Sequence, residues 1–208
     1  MLEPKIFFDT VRGTKSAPGI LGPTLEPNEV GGCNALLAAC DGWPVSWAAY
    51  ALATAYHETG GTMQPIKEIG SYNYFMRRYD KSGQKPAVAR DLGNTEIGDG
   101  AKYAGRGYVQ LTGRRNYAKA GAELGVDLVS NPDRAMDAEI AAQVLRHGMA
   151  DGWFTSKQLS DYLPARGQAL QDQFVKARRI INGTDRALLI AGYAVQFQAA
   201  LWAAGWRP

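Results

Sequence analysis

The chain has 208 residues, 46% of them hydrophobic and 21% charged, with a formal net charge of +3. This is ordinary for a folded soluble protein and sufficient for one domain with a core, or one domain with a small lobe. The charge is too weak to argue for nucleic acid; it would suit an anionic polymer such as a bacterial cell wall, although a solvated surface with a slight excess of Lys and Arg is the plainer reading.

Residues 3–12 read as a short helix, and the Gly- and Pro-rich residues 13–26 as loop. Pro27 suits the first turn of a helix that runs to about Asp41 and stops at Gly42. Cys33 and Cys40, seven residues apart on that helix, would have Cα atoms about 10 Å apart, too far for a disulfide. They read as small buried apolar residues of a reducing compartment. Pro44 starts a helix over about 44–58 that puts Trp47, Tyr50, Ala51, Thr54 and Glu58 on one face, and Gly60-Gly61 ends it. Residues 62–110 are rich in glycine and irregular, with a short hairpin predicted around Ile66–Tyr79. Long irregular segments of this kind are often functional. Helical patterning returns over about 113–124, 137–150, 171–181 and 185–204, with Thr112 and Asp185 as candidate caps for the first and last.

The predicted fold is mainly α, a helical body with a loop-rich insertion or small β lobe flanking a cleft. A single domain over residues 1–208 is expected, with no internal repeat and no separate second module evident. The start of the chain lacks the pattern of a signal peptide. The longest apolar run, Ala187 to Ala204, is interrupted by Gln196 and Gln198 and is too polar for a good membrane span. The chain is therefore expected to stay soluble in the cytoplasm, as a monomer, without membrane insertion. Two Cys and two His do not suggest a metal site, since Gly61 breaks any His-Glu-x-x-His pattern after His57-Glu58. No cofactor is expected.

Two carboxylates ten residues apart, Glu58 and Glu68, carry the chemical signal. Glycoside hydrolysis needs a protonated acid on one side of the bond and an ionised carboxylate on the other. Glu58, at the end of an apolar helix, is placed where desolvation would favour the acid form. Glu68 lies on a polar segment and suits the base; Glu96, in Gly93-Asn94-Thr95-Glu96-Ile97-Gly98, is its rival, and each could instead be a surface charge. Gln110 and Thr112 share one face of an extended segment, where an amide and a hydroxyl can bind a sugar and orient a water; Thr112 can also be a helix cap. His57 reads as a residue that orients a neighbour or walls a pocket, since no Gly-x-Ser-x-Gly elbow accompanies it. Tyr72, Tyr74, Tyr79, Tyr103 and Tyr108 crowd the loop region, some to stack on sugar rings and some to pack the lobe.

Four pieces occur in one order: His57-Glu58-Thr59-Gly60-Gly61; Lys102-Tyr103-Ala104-Gly105-Arg106-Gly107-Tyr108-Val109-Gln110-Leu111-Thr112; Asn116-Tyr117; and Arg178-Arg179-Ile180-Ile181-Asn182-Gly183. In this the chain resembles the family 19 glycoside hydrolases, the chitinase-like group with a lysozyme-type fold, over about residues 45–200. The resemblance implies that Glu58 is the general acid and that Glu68, with Thr112, activates water in an inverting mechanism. It further implies that Gln110, Asn116 and Asn182 contact the sugar chain, with His57 and Tyr108 counted among the substrate-binding residues. Short loops and the missing secretion features resemble the phage and prophage branch. Members of that branch are endolysins that accumulate in the host cytoplasm, reach the wall through a holin and cleave the β-1,4 bond between N-acetylmuramic acid and N-acetylglucosamine. A chitinase with the same residues, a lytic transglycosylase and a catalytically silent wall-binding or virion protein are the alternatives.

Overall fold

The computed structural model describes residues 2–207. In chain order its elements are α1 (Pro4–Arg12), α2 (Pro27–Ala39), α3 (Val45–Glu58), β1 (Ile66–Lys67), α4 (Tyr72–Tyr79), α5 (Pro86–Asp91), α6 (Asp99–Lys102), β2 (Arg106–Gly107), α7 (Arg114–Leu124), α8 (Ala138–Ala150), α9 (Gln171–Ala177) and α10 (Ala187–Ala203). Short 3₁₀ turns lie at Pro132–Met136, Leu159–Asp161 and Arg178–Ile180. The fold is mainly α with very little strand, as predicted. The chain divides into two compact units: one from the segments before Pro65 and from Leu145 onward, the other from Pro65–Val144.

The first unit is built on α3 and α10. Residues Ala48 to Ala55 of α3 are buried without interruption, the signature of a helix surrounded by protein. Its alanines let neighbouring backbones come close. α10 packs along α3, α9 and α1. Tyr50 stacks on Phe174 with ring centres 6.2 Å apart, and Phe197 is wholly buried. Pro at the start of α1 and of α2 presets the first turn, and α2 adds a reciprocal cap between Glu26 and Glu29. At the far end the Trp206 indole donates to the Trp43 carbonyl at 2.8 Å. Cys33 and Cys40 are buried and unpaired, and burial pushes both thiols up to about 12.

The second unit has short elements tied by polar side chains. β1 pairs antiparallel with β2, Ile66 opposite Gly107 and Lys67 opposite Arg106. The hairpin expected around Ile66–Tyr79 does not form. Ser71 caps a helix instead, accepting from the Tyr74 N–H at 3.1 Å, and α4 buries Phe75. The strand finds its partner about forty residues on, which a local pattern cannot reveal. Asp80 is buried and accepts from Ser82, Gly98 and Gly100 backbone N–H groups. Asp99 accepts from the Thr95 and Glu96 N–H groups and forms a two-pronged ion pair with Arg114, at 2.7 and 2.6 Å. Burial works against the Asp99 charge, but the Arg114 bonds and the backbone donors outweigh it and hold the carboxyl below its usual range.

Two expected caps are corrected. Gly113, not Thr112, precedes α7, and Arg186, in a left-handed conformation, precedes α10 in place of Asp185. The Thr112 hydroxyl is used within its own loop, where Oγ1 donates to the Gln110 carbonyl at 2.7 Å.

Candidate active site

The candidate residues fall into two groups, one in each unit. In the first unit Glu58 is the last residue of α3. The helix stops because Thr59 turns its hydroxyl back to the Ala55 carbonyl at 2.8 Å, and that same oxygen accepts from the Met63 N–H at 3.2 Å. The chain then reverses through Gly61 at φ +89°, where a side chain would be strained and would crowd the Tyr56 ring at 3.3 Å. Arg178 Nη1 donates to Glu58 Oε1 at 2.8 Å while its Nε donates to the Asp185 carbonyl at 2.9 Å. The Arg178 side chain is 2% exposed and that of Glu58 22%. The carboxylate is therefore not merely desolvated, as the apolar helix suggests; it is gripped by a buried guanidinium that fixes one of its oxygens.

His57 is half-buried, its ring 6.5 Å from that of Tyr193. Burial lowers its pKa and outweighs the attraction of Glu58, so the ring is a neutral wall near neutral pH. Asn182 is exposed in the turn after Arg178–Ile180, its N–H bonded to the Arg178 carbonyl at 3.0 Å.

In the second unit Glu68, Gln110 and Thr112 converge on Gly105. A Cβ there would lie 2.7 Å from Gln110 Oε1 and 3.2 Å from both Glu68 Oε2 and Thr112 Oγ1. Only glycine leaves room for the three polar groups to meet. Glu68 and Gly105 bond in both directions: the Glu68 N–H donates to the Gly105 carbonyl at 2.8 Å, and the Gly105 N–H donates to Glu68 Oε2 at 3.2 Å. The other carboxylate oxygen accepts from the Tyr79 hydroxyl at 2.9 Å, and that hydroxyl accepts from Arg78 Nε at 2.9 Å. Burial first, and then the bond to Glu68, push the Tyr79 phenol up to about 12. Tyr79 therefore stays a donor throughout the ordinary pH range.

Gln110 sits at φ +54°, an uncommon conformation for a side-chain-bearing residue. Its amide donates to the Ile66 carbonyl at 3.2 Å. Asn116 Nδ2 donates to the Thr112 carbonyl at 2.7 Å and braces the same loop. Arg106 of the Gly-Arg-Gly stretch is 3% exposed. It bonds Asp133, the Lys102 and Ala104 carbonyls and the Tyr117 hydroxyl. It is a framework residue.

Tyr108, counted among the sugar-binding residues, is wholly buried; no face remains for a sugar, so that reading is corrected. Tyr103 is equally buried, with its hydroxyl on the Val129 carbonyl at 3.0 Å. Tyr72 is 62% exposed. It lines, with Glu68, Ile69 and Gly70, an open depression of about 470 Å³. The rival base Glu96 has a side chain 67% exposed and lies 3.7 Å from Lys81, outside the group around Gly105. Sequence reasoning assigns no role to Arg178 or Tyr79 at the carboxylates. A pair of arginines ahead of Ile-Ile-Asn-Gly is the only signal for the first, and burial, which gives it meaning, is a property of the fold.

Among the described residues no group of His, Cys, Asp and Glu is arranged to hold a metal, and no helix is long and apolar enough to cross a membrane.

Comparison with known proteins gives one consistent family. The family model for chitinase class I, glycoside hydrolase family 19, matches residues 45–158. Acidic endochitinase Q of Nicotiana tabacum is 37% identical over 95 residues, which are 45% of this chain and 30% of that protein. Chitinase 3 of Oryza sativa subsp. japonica is 33% identical over 96 residues, 45% of this chain and 29% of that protein. The aligned segment thus takes in less than a third of these plant relatives. Among solved structures, chitinase C from Streptomyces griseus HUT6037 aligns with a TM-score of 0.58 at 20% identity, covering 97% of this chain and 76% of that one. A bacterial family 19 chitinase aligns with a TM-score of 0.52 at 21% identity, covering 100% and 96%. These two likenesses concern the fold. With a family match that spans more than half the chain and takes in Glu58, Glu68, Gln110 and Thr112, this chain belongs to glycoside hydrolase family 19.

Proposed function

We propose that the protein hydrolyses the β-1,4 bond of an N-acetylated amino-sugar polymer, with Glu58 as general acid and Glu68 as general base. The observation that carries this reading is the convergence of Glu68, Gln110 and Thr112 on Gly105. A carboxylate, an amide and a hydroxyl within reach of one point can hold a water and take its proton as it attacks. Glu58, oriented by Arg178, supplies the proton to the departing oxygen. Asn116 acts by bracing Thr112, and Asn182 offers an exposed amide to the sugar chain.

The preferred polymer in this reading is bacterial peptidoglycan, and the protein is a muramidase of the endolysin type, working from the host cytoplasm onto the wall after holin-dependent release. Two buried, unpaired thiols support a chain that matures without disulfides. The curated relatives, both named as chitinases, favour the second reading, cleavage of chitin by the same residues.

Mass spectrometry of fragments released from purified Gram-negative peptidoglycan is the test. Reducing N-acetylmuramic acid ends are expected. Anhydro ends would indicate a transglycosylase, and fragments only from chitin oligomers would establish the chitinase. Glu58→Gln and Glu68→Gln should each lower the rate by a factor of about 10²–10⁴, the usual contribution of a positioned acid or base. Glu96→Gln should leave it within about twofold, a size typical of an exposed charge. A reversed order of Glu68 and Glu96 would reassign the base.

A further inference from the structure

The second unit carries a small depression of about 210 Å³ whose lining is Tyr74, Arg77, Arg78, Gln84 and Lys85. Three of these five side chains are cationic and none is acidic. We propose that this depression is a subsite for carboxylates carried on a glycan strand, which would distinguish peptidoglycan from uncharged chitin; the inference rests on the proposed peptidoglycan reading and deepens it.

No carboxylate pairs directly with the charges there. Among the described residues no ion pair involves Arg77, Arg78 or Lys85. Glu68 meets Arg78 only through the Tyr79 hydroxyl, and two further acids are committed elsewhere. Asp80 is buried and bonded to Ser82, Gly98 and Gly100, while Glu96 lies beside Lys81. The C-terminal carbonyls of α4, which would repel an anion, are also covered. The Met76 carbonyl accepts from the Asp80 N–H and the Arg77 carbonyl from the Gln84 N–H at 2.9 Å.

The depression is also built to a shape. Gly83 packs so tightly on the end of α4 that a Cβ would lie 2.3 Å from the Met76 carbonyl oxygen, so the turn that brings in Gln84 and Lys85 is pinned against Arg77. The Arg78 guanidinium lies 5.8 Å from the Tyr74 ring centre and 5.3 Å from that of Tyr79, held flat by two aromatic faces. Its Nε reaches Glu68 through the Tyr79 hydroxyl. The cationic lining is therefore continuous with the residues that hold the candidate base. Arginine matches the planar carboxylate. Stem-peptide carboxylates and the lactyl carboxylate of denuded strands share this chemistry.

The test compares wild type with Arg77→Gln/Lys85→Gln, which spares Arg78 and every residue assigned to the chemistry. Three substrates are used: intact peptidoglycan, strands stripped of peptides by an amidase, and chitin oligomers. Cosedimentation with sacculi at low salt is measured alongside turnover. The double variant should raise KM on intact peptidoglycan about fivefold, the scale of two exposed ion pairs, leave kcat and chitin-oligomer cleavage unchanged, and lose the salt sensitivity of wall binding. A loss confined to intact walls assigns the stem-peptide carboxylates, one confined to stripped strands assigns the lactyl carboxylate, and one seen on both shows that the depression takes either. Unchanged KM and cosedimentation overturn the subsite. An equal loss on chitin overturns it too, because a neutral substrate has no carboxylate to lose. If the wild type cleaves no peptidoglycan, the muramidase reading falls, and the cosedimentation difference still decides whether the depression binds anionic strands.

Discussion

The two units hold their candidate carboxylates by different means. The first is an apolar packing of long helices, and Glu58 is where its most buried helix ends, met by the buried cation Arg178. The second is made of short elements and fixes its loops with Asp80, Asn94, Asp99, Arg106 and Arg114, so that Glu68 hangs in a hydrogen-bond lattice. Position is set by shape in one unit and by directional bonds in the other. Substitutions should therefore be tolerated by different rules.

Core truncation gives the largest expected effect on stability. Phe197→Ala in the first unit should cost about 3–5 kcal/mol, by lost transfer energy and an unfilled cavity, whereas Phe197→Leu should cost about 1.5 kcal/mol or less if the helices repack. In the second unit the corresponding position is polar. Arg106→Met should cost about 2 kcal/mol, since it takes a buried donor from the Lys102 carbonyl and leaves the Ala104 carbonyl and the Tyr117 hydroxyl with only each other, while the exposed Asp133 turns to water and Lys67. Arg106→Lys should recover little of that, because an ammonium cannot reproduce the fork. Denaturant midpoints of the four variants decide the matter. If Arg106→Lys is as mild as Phe197→Leu, the second unit does not depend on directional bonds.

Acid should separate the units next. Asp99 binds its proton less tightly in the folded chain than at its ordinary value of 3.8. Its contribution to stability is present above that value and is lost as pH falls through the lower, folded one. Asp80 moves in the same direction. In the first unit His57 is also lowered, from 6.5. A neutral histidine in the folded state loses ground to the unfolded chain, which takes up the proton, as pH falls below 6.5. Asp99→Asn should flatten the dependence of stability on pH below about 4, and His57→Gln should flatten it just below 6.5. An unaltered slope in either window removes that group from the account.

The same contrast explains what could be read from sequence. Helices α2, α3, α7 and α8 follow from apolar patterning, proline starts and glycine stops, because those signals lie within each helix and its flanks. The reading fails where a contact is distant. β1 pairs with a strand about forty residues on, Ser71 makes a helix of a segment that looks like half a hairpin, and Arg178 finds Glu58 across 120 positions. Glu68, Gln110 and Thr112 were legible as residue types, but their convergence depends on the missing side chain of Gly105 and on a left-handed Gln110. Tyr108 misleads for a related reason. An aromatic in a glycine-rich stretch looks exposed until Gly107 turns the chain inward.

The smallest expected effect tests the lattice at its finest point. Tyr79→Phe removes one hydroxyl and keeps the ring that stacks 6.4 Å from Phe75. Stability should change by less than about 1 kcal/mol, since Tyr79 is only half-buried and the partners of its hydroxyl can turn to water. The Glu68 carboxylate would keep its bond to the Gly105 N–H and lose the one that fixes its second oxygen. A carboxylate that must take a proton from a positioned water is sensitive to such freedom, so kcat should fall roughly tenfold, about 1.4 kcal/mol of barrier, with KM nearly unchanged. A rise in KM alone would make Tyr79 a sugar contact instead. Unchanged kinetics would leave Gly105 as sufficient support for Glu68, and the second unit would then place its carboxylate through the backbone, as the first does through the end of a helix.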